Sequence, residues 1–407
     1  MADGGVIGFL DIGAGKVACV VAQADGSGPM RAAGVGECAS GGIEDGKIAD
    51  FGRLMFSINK ATGDAEGAAG RRIASVVLSS TLAPFESRFL TSEISFGRAK
   101  DIGAEDIEKC SHRLAARDAV DLDRDEIVHV IPVRYVLDDA REEGDPIGIA
   151  ASKLKILYHV VSADRRSLDD VLSAVRNCNL DVADVVAPAY AAGLGCLRRD
   201  EMRAGCMALD IGKSKISAGV FLRGNFICGF SLPLGGDYIT NRIAASAGVG
   251  TAEAERAKLA YGAAAPESSD FSEYVEISGA RGEESVLKAD MLGVARPVVR
   301  LGFEVAAKYA EDNDLARYVK SVVLCGGGAN MKGAASVANE AFGLPVRVGG
   351  SYELGGLGEK DARTEYAAAA GLVKYRMSKS PSVWQRPAPP APSGAYAMVK
   401  KFLARFF

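Results

Sequence analysis

The chain has 407 residues, 48% hydrophobic and 25% charged, which implies two or three domains of ordinary globular make-up. Its net charge of -4 excludes a global basic field for nucleic acid. No apolar run approaches about 20 residues, so no helix is expected to span a bilayer, and no positively charged stretch precedes the first apolar run as a signal peptide requires.

The first informative stretch is 8–21, GFLDIGAGKVACVV. Two apolar, β-branched runs flank a glycine turn, which predicts two strands joined tightly. Gly13 and Gly15 allow a ligand to approach the backbone, and successive N–H groups in such a turn form a concavity for anions. Asp11 stands at its mouth, where a carboxylate beside a phosphate suits hydrated Mg²⁺. The string GAGKVA also fits the dinucleotide fingerprint, but that needs a helix after the glycines, and VACVVA is strand-like. An ordinary glycine hairpin with a surface aspartate fits the stretch taken alone.

Strands and turns are expected through residue 38. In GGIEDGKIAD (41–50), Ile48 stands where a Walker loop needs Ser or Thr, so the segment is a turn. A helix follows over 51–62 and a buried strand over 73–80. From 84 to 163 the charge rises, and strand-like runs, strongest at 126–137 and 154–162, flank a helix at 104–117. This predicts a small α+β module inserted into the first domain. A helix (167–178), a strand (181–186) and a helix (188–198) come next.

The opening pattern then returns. MALDIGKSKISAGV (207–220) repeats strand, Asp-Ile-Gly, lysine-containing turn and strand, with Asp210 answering Asp11 and Gly212 answering Gly13. An echo nearly 200 residues apart implies two related domains, whose turns would grip one nucleotide from both sides. A strand is expected at 226–232, helices at 236–247 and 251–262, and a longer helical segment over 285–312 interrupted near Pro297. The strand SVVLC (321–325) runs into Gly326-Gly327-Gly328-Ala329-Asn330 and a helix at 331–341, a geometry that brings backbone close to a ligand. A last helix covers 364–376.

Five prolines between 381 and 392 make a semi-rigid linker of roughly 40 Å at about 3.1 Å per residue. The chain ends GAYAMVKKFLARFF. Val399, Phe402, Leu403 and Phe406 fall at i, i+3, i+4, i+7, with Tyr396 and Phe407 on the same face; Lys401 and Arg405 lie opposite, and Lys400 can snorkel at the edge. That is the composition of an interfacial amphipathic helix, a membrane anchor; the alternative is a terminal helix docking its apolar face on the protein's own core, against which the proline-rich tether argues. The eight cysteines show no C-x-x-C pair and no metal-ligand spacing with the three histidines, which predicts reduced, buried thiols. His112, His129 and His159 carry no assigned chemistry.

The two Asp-Ile-Gly turns, the insertion between them and the late GGGAN turn together resemble the actin-like ATPases, and within them the FtsA family of bacterial cell-division proteins. HVIP (129–132), DPIGI (145–149), AERAKLAYG (254–262) and LCGGGANMKG (324–333) carry the narrower resemblance. It implies an α/β, actin-like (ribonuclease H-like) fold of duplicated domains around a nucleotide cleft. Subdomain 1A would hold 1–83 and 164–205, the inserted 1C module 84–163, 2A 206–235 and 313–362, and 2B 236–312. A closing helix (363–377) of 1A, the linker (378–393) and the membrane helix (394–407) complete the chain. The resemblance further implies ATP with Mg²⁺ as ligand. Phosphate turns would be Asp11, Gly13, Ala14, Gly15, Lys16 and Asp210, Gly212, Lys213, Ser214, Lys215, with Asp11 and Asp210 on the metal through water. Gly326, Gly327 and Gly328 would line the adenosine pocket, and Glu255 and Lys258 would approach ribose and base. Implied partners are the FtsZ tail at 2B, further copies in a filament, later division proteins at 1C, and the inner membrane at the septum.

One departure stands out. The superfamily's second turn reads Asp-x-Gly-Gly-Gly-Thr, and here Lys213, Ser214 and Lys215 replace its last three residues. Either the lysines pair with phosphates as point charges, or the cradle is impaired. The segment 185–195 also holds no Asp, Glu or Gln to position a water, so slow or no ATP turnover is expected. An actin-like adaptor of the PilM type and a sugar- or acetate-type kinase are the alternatives.

Overall fold

The computed structural model describes residues 6–24, 30–115, 121, 123–265, 272–279, 282–351, 354–358 and 363–378. The candidate membrane-binding residues Tyr396, Val399, Lys400, Lys401, Phe402, Leu403, Arg405, Phe406 and Phe407, with most of the linker, lie outside the described residues.

The duplication is present strand for strand. One five-stranded sheet runs, in spatial order, Asp181–Val185, Ser75–Ser80, Ile7–Ile12, Lys16–Ala24, Met30–Ala39; the other runs Val346–Val348, Ser321–Cys325, Cys206–Ile211, Ile216–Leu222, Asn225–Leu232. In each, the leading strand begins a three-stranded antiparallel meander on one side and pairs in parallel with a later strand on the other. The registers match as well. Asp11 faces Ala18 and neighbours Ser79, while Asp210 faces Ser217 and neighbours Cys325. Leading strands without polar alternation, IGFLDI and CMALDI, are what sheets covered on both faces require.

Two small-residue helices, Pro188–Cys196 and Ala367–Met377, join the halves. One buried cluster takes in both helices together with Phe9 and Val20 of the first sheet and Ala208 and Phe221 of the second. The helices cross in backbone contact: a Cβ built on Gly371 would lie 1.7 Å from the Ala191 carbonyl oxygen, and one on Gly195 1.8 Å from that of Ala367. The alanine and glycine runs of both segments are therefore a packing requirement.

The helix Phe51–Ala69 outruns the expected 51–62. Gly63 and Gly67 lie on its exposed side, while Ala61 and Ala65 press on the strand backbone at Gly36 and Gly34. The helix Lys288–Asp312 is continuous through Pro297, against the expected interruption. Proline removes one bond and frees the carbonyl four residues back. Both Pro297 and Gly293 are exposed, so the break in the ladder falls on the solvent side of the helix. The late helix begins at Ala334 rather than 331, because a short 3-10 turn, Gly327–Asn330, precedes it. Segment 41–50 forms a small hairpin pairing Ile43–Glu44 with Lys47–Ile48, not a phosphate loop.

The inserted module is a four-stranded antiparallel sheet in the order Phe85–Asp101, Ala150–Asp164, Asp125–Leu137, Arg141–Glu143. The helix Ala104–Ala115 covers it through Ile107, Cys110 and Leu114. All eight cysteines are free, and all but Cys38 are buried.

Candidate functional site: the cleft between the two sheets

Each Asp-Ile-Gly turn is closed by the same backbone bond. The Gly13 N–H donates to the Lys16 carbonyl (2.9 Å) and the Gly212 N–H to that of Lys215 (3.0 Å). Glycine is needed at the third turn, where Gly326 takes φ 79°, ψ 173°, a region closed to side chains. From the fourth side the helix Thr251–Tyr261 presents Glu255 and Lys258. Lys258 Nζ lies 2.6 Å from Glu255 Oε2 and donates to the Gly236 carbonyl (3.0 Å) and Thr240 Oγ1 (2.9 Å).

These elements enclose one cavity of about 640 Å³. Every candidate binding residue lines it: Asp11, Gly13, Ala14, Gly15, Lys16, Asp210, Gly212, Lys213, Ser214, Lys215, Glu255, Lys258, Gly326, Gly327 and Gly328. The sequence did not point to the polar rim of Glu37, Arg363 and Glu365, or to the apolar end of Ile239, Leu259, Val298, Phe303 and Met331. Asn330 of the GGGAN string was a usable signal; its amide donates to Glu365 Oε1 (2.9 Å). A cavity lined both by apolar side chains and by the backbone of three turns suits a ligand that carries a flat ring and anionic oxygens.

Asp11 and Asp210 face the cavity floor. Burial, then the charge of Asp210, pushes the Asp11 carboxyl up to about 7, with Lys16 offsetting part of the rise. Burial likewise pushes Asp210 up to about 6, again opposed by Lys16. Beside Asp11, the buried Ser79 hydroxyl has no partner among the described residues. Two desolvated carboxylates that repel each other are a donor set that a hydrated divalent cation fits. Among the described residues no third carboxylate, imidazole or thiol joins them, so water and ligand oxygens would complete such a shell.

Lys16 turns toward the rim. Its ammonium lies 3.0 Å from Glu37 Oε2 and 4.0 Å from the centre of the Tyr366 ring. Burial alone would raise Glu37, but hydrogen bonds from Tyr366 Oη (2.6 Å) and Lys16, with the Arg363 charge, hold it down at about 2. In the second turn Lys215 Nζ donates to the Thr81 carbonyl at 2.6 Å, and burial lowers its pKa. Of the two lysines expected as point charges for phosphate, one is thus already committed to the protein, and Lys213 is the exposed one. The helix Pro188–Cys196, with no acid or amide, contributes no side chain to the cavity wall.

Two of the three scattered histidines turn out to be structural. His159 bonds through Nδ1 to the Phe226 carbonyl (3.0 Å) and through Nε2 to Ser87 Oγ (2.9 Å), which accepts from the Gly229 N–H (2.9 Å). His129 Nε2 accepts from the Ala187 N–H (3.1 Å). Burial lowers both, His129 to about 3 and His159 to about 4, so both are neutral. They fasten the inserted module to both halves. Isolated histidines give no such signal in sequence.

Residues 207–371 match a family model described as cell division protein FtsA, and residues 85–162 match the SHS2 domain inserted in FtsA. The cell division protein FtsA of Pseudomonas aeruginosa is 28% identical over 381 residues, covering 92% of this chain and 90% of that protein. Among solved structures, the PilM-PilN type IV pilus biogenesis complex aligns at TM-score 0.66 and 17% identity, over 93% of this chain and 100% of that one. MreB5 of Spiroplasma citri bound to ADP aligns at 0.54 and 12%, over 91% and 96%. At those identities the structures show a shared fold and nothing finer.

Proposed function

This chain belongs to the FtsA family of bacterial cell-division proteins and has the actin-like fold with an inserted module; from that premise we propose that it is an ATP-binding, filament-forming adaptor that ties FtsZ filaments to the cytoplasmic face of the inner membrane at the septum. The PilM-type alternative is not favoured, since the matching family models are those of FtsA, including that of its insertion.

A single observation supports nucleotide binding most directly. Two duplicated Asp-tipped turns and a glycine triplet from distant parts of the chain line one cavity of nucleotide size, about 640 Å³. A fold neighbour also holds ADP. In this reading the turn backbones take the phosphates, Asp11 and Asp210 hold Mg²⁺ through water, Gly326 to Gly328 and the apolar end take the adenosine, and Glu255 with Lys258 approaches the ribose and base. Mg²⁺ would supply charge neutralisation for the phosphates. The helix Pro188–Cys196 offers no Asp, Glu or Gln to position a water, and in this reading the nucleotide serves as a conformational and assembly ligand. Phosphate release by pure protein is expected far below the roughly 1–100 s⁻¹ of kinases, while titration with a fluorescent ATP analogue and Mg²⁺ gives saturable binding. Steady turnover in the kinase range would refute this part.

The subdomain limits proposed are those of the family: 1–83 with 164–205, 84–163, 206–235 with 313–362, and 236–312. The FtsZ tail is assigned to 236–312 and later division proteins to the inserted module. The membrane link is assigned to 394–407. Its three basic side chains (Lys400, Lys401, Arg405) contribute roughly 3 kcal/mol near an anionic leaflet, and so short a helix must pay for its own ordering. One tail is therefore weak, and an array on a filament holds through effective concentration. Deleting 394–407 leaves the melting profile unchanged and abolishes flotation with anionic liposomes; flotation that persists would remove the anchor from this reading.

A further inference from the structure

The three side chains that stand in the second turn in place of small residues all reach the opposite half. A Cβ built on Gly15 of the first turn would lie 3.1 Å from Lys213 Cβ. A Cβ on Gly46, at the tip of the 41–50 hairpin, would lie 3.3 Å from Ser214 Oγ and 3.6 Å from Ser214 Cβ. Lys215 Nζ donates to the Thr81 carbonyl at 2.6 Å, across 134 residues of sequence. Thr81 is itself fastened to the first turn. Its N–H and the Ser80 hydroxyl both donate to the Ile12 carbonyl, each at 3.1 Å. It also leads directly into the inserted module, whose first strand starts at Phe85. A hydrogen bond from a charged donor in a partly desolvated site belongs to the strong class.

We propose that Lys215 is an internal clamp that holds the two halves of the molecule closed with the cleft unliganded, with Ser214 and Lys213 packing the same seam. In hinged two-lobed proteins a ligand drives closure through its better affinity for the closed form. Here the contact that closes the cleft is covalently part of the chain. A ligand then meets a site that is already assembled, and it shifts the lobes little, because an equilibrium moves only by a ligand's differential affinity. The clamp stands whatever occupies the cleft.

The geometry supplies its own reporter. A Cβ separation of 3.6 Å between positions 46 and 214 is within the disulfide range; Gly46 has φ 72°, so a cysteine there costs about 1 kcal/mol of backbone strain, which the reduced double variant, folded by circular dichroism, must tolerate. Full-length protein with Gly46→Cys and Ser214→Cys, and with the half-buried Cys38→Ser to silence the one native thiol that is not buried, is oxidised with diamide in the absence of any nucleotide. The cross-link forms readily, and adding Lys215→Met slows it about tenfold. Circular dichroism confirms that the Met variant is folded. If it is not, small-angle scattering of unsubstituted, ligand-free protein decides: the profile matches the closed structure. A cross-link that needs nucleotide, one that forms equally fast with Met at 215, or an open scattering profile overturns the clamp. Separate titration with the ATP analogue keeps the two ideas apart, since cross-linking without nucleotide binding would defeat the ligand assignment and leave the clamp intact.

Discussion

Replacing Asp11 with Asn raises the stability of the ligand-free protein at pH 8 and leaves it nearly unchanged at pH 4. The folded carboxyl sits at about 7 against an ordinary 3.8, chiefly through burial and then through Asp210. Between those values the native state binds the proton more tightly than the unfolded chain, so stability is highest below about pH 4 and falls as pH rises to 7. A shift of this size corresponds to about 4 kcal/mol at most. Asp11 is only half covered, because it faces the cavity, and cavity water reduces the cost to about 2–3 kcal/mol. Asparagine titrates nothing, so its advantage grows over that window and reaches roughly 3 °C in melting temperature above it. The ligand response runs the other way. ATP with Mg²⁺ in 100-fold excess over its Kd stabilises a binding protein by about 2.7 kcal/mol; the wild type shows that gain and the Asn variant loses most of it. A variant less stable than wild type at pH 8 would mean that Asp11 is satisfied within the protein and not held ready for a cation.

The prediction has a general basis. Groups placed for ligand chemistry are often poorly satisfied in the empty fold, and stability is given up to keep them so. The orphaned Ser79 hydroxyl beside Asp11 belongs to the same pattern. The rim differs. Glu37, Lys16, Arg363 and Tyr366 satisfy one another, and that cluster joins the first sheet to the start of the helix Ala367–Met377.

Local patterns carried much of the site in the sequence. Asp11 with Gly13 and Asp210 with Gly212 were legible because one strand, one turn and one strand repeat at fixed spacing, and the duplicated sheets follow from that repeat. The Gly326 turn was legible because a strand runs into three glycines. What could not be read were contacts closed by tertiary structure. Lys215 meets Thr81 134 residues away, and a lysine in a phosphate turn reads as a phosphate ligand until its partner is known. His159 joins Phe226 and Ser87 with no periodic signal to show it. Helix limits failed where propensity lost to packing. The first long helix runs on past Gly63 and Gly67, which sit on its solvent face, and Lys288–Asp312 runs through Pro297, which is exposed as is Gly293 four residues back.

Alanine at each of the three consecutive glycines separates these causes at the third turn. A Cβ at Gly326 would lie 2.2 Å from Asp210 Oδ1, 2.7 Å from the Ile211 carbonyl oxygen and 2.9 Å from the Ile211 nitrogen. Its φ of 79° with ψ of 173° is closed to alanine in any case. Backbone strain of about 1–3 kcal/mol adds to overpacking of about 1–3 kcal/mol, so Gly326→Ala costs roughly 4 kcal/mol or displaces Asp210 to avoid it. Either way the cavity floor is rebuilt and ligand binding is lost. Gly328→Ala meets Ile211 Cγ2 at 2.3 Å and Cβ at 2.9 Å. The Ile211 carbonyl oxygen is also close, at 3.1 Å, so Ile211 must move with its backbone, at a cost of about 2 kcal/mol with binding weakened. Gly327→Ala meets nothing nearer than Glu365 Cγ at 3.8 Å, with no positive φ, and is neutral within about 0.5 kcal/mol. Denaturant titration of the three variants, paired with nucleotide titration, should rank them 326, 328, 327 in both losses. Equal losses at all three positions would show that the triplet acts through backbone flexibility and not through the close approach of the two strand ends that carry Asp210 and Gly326.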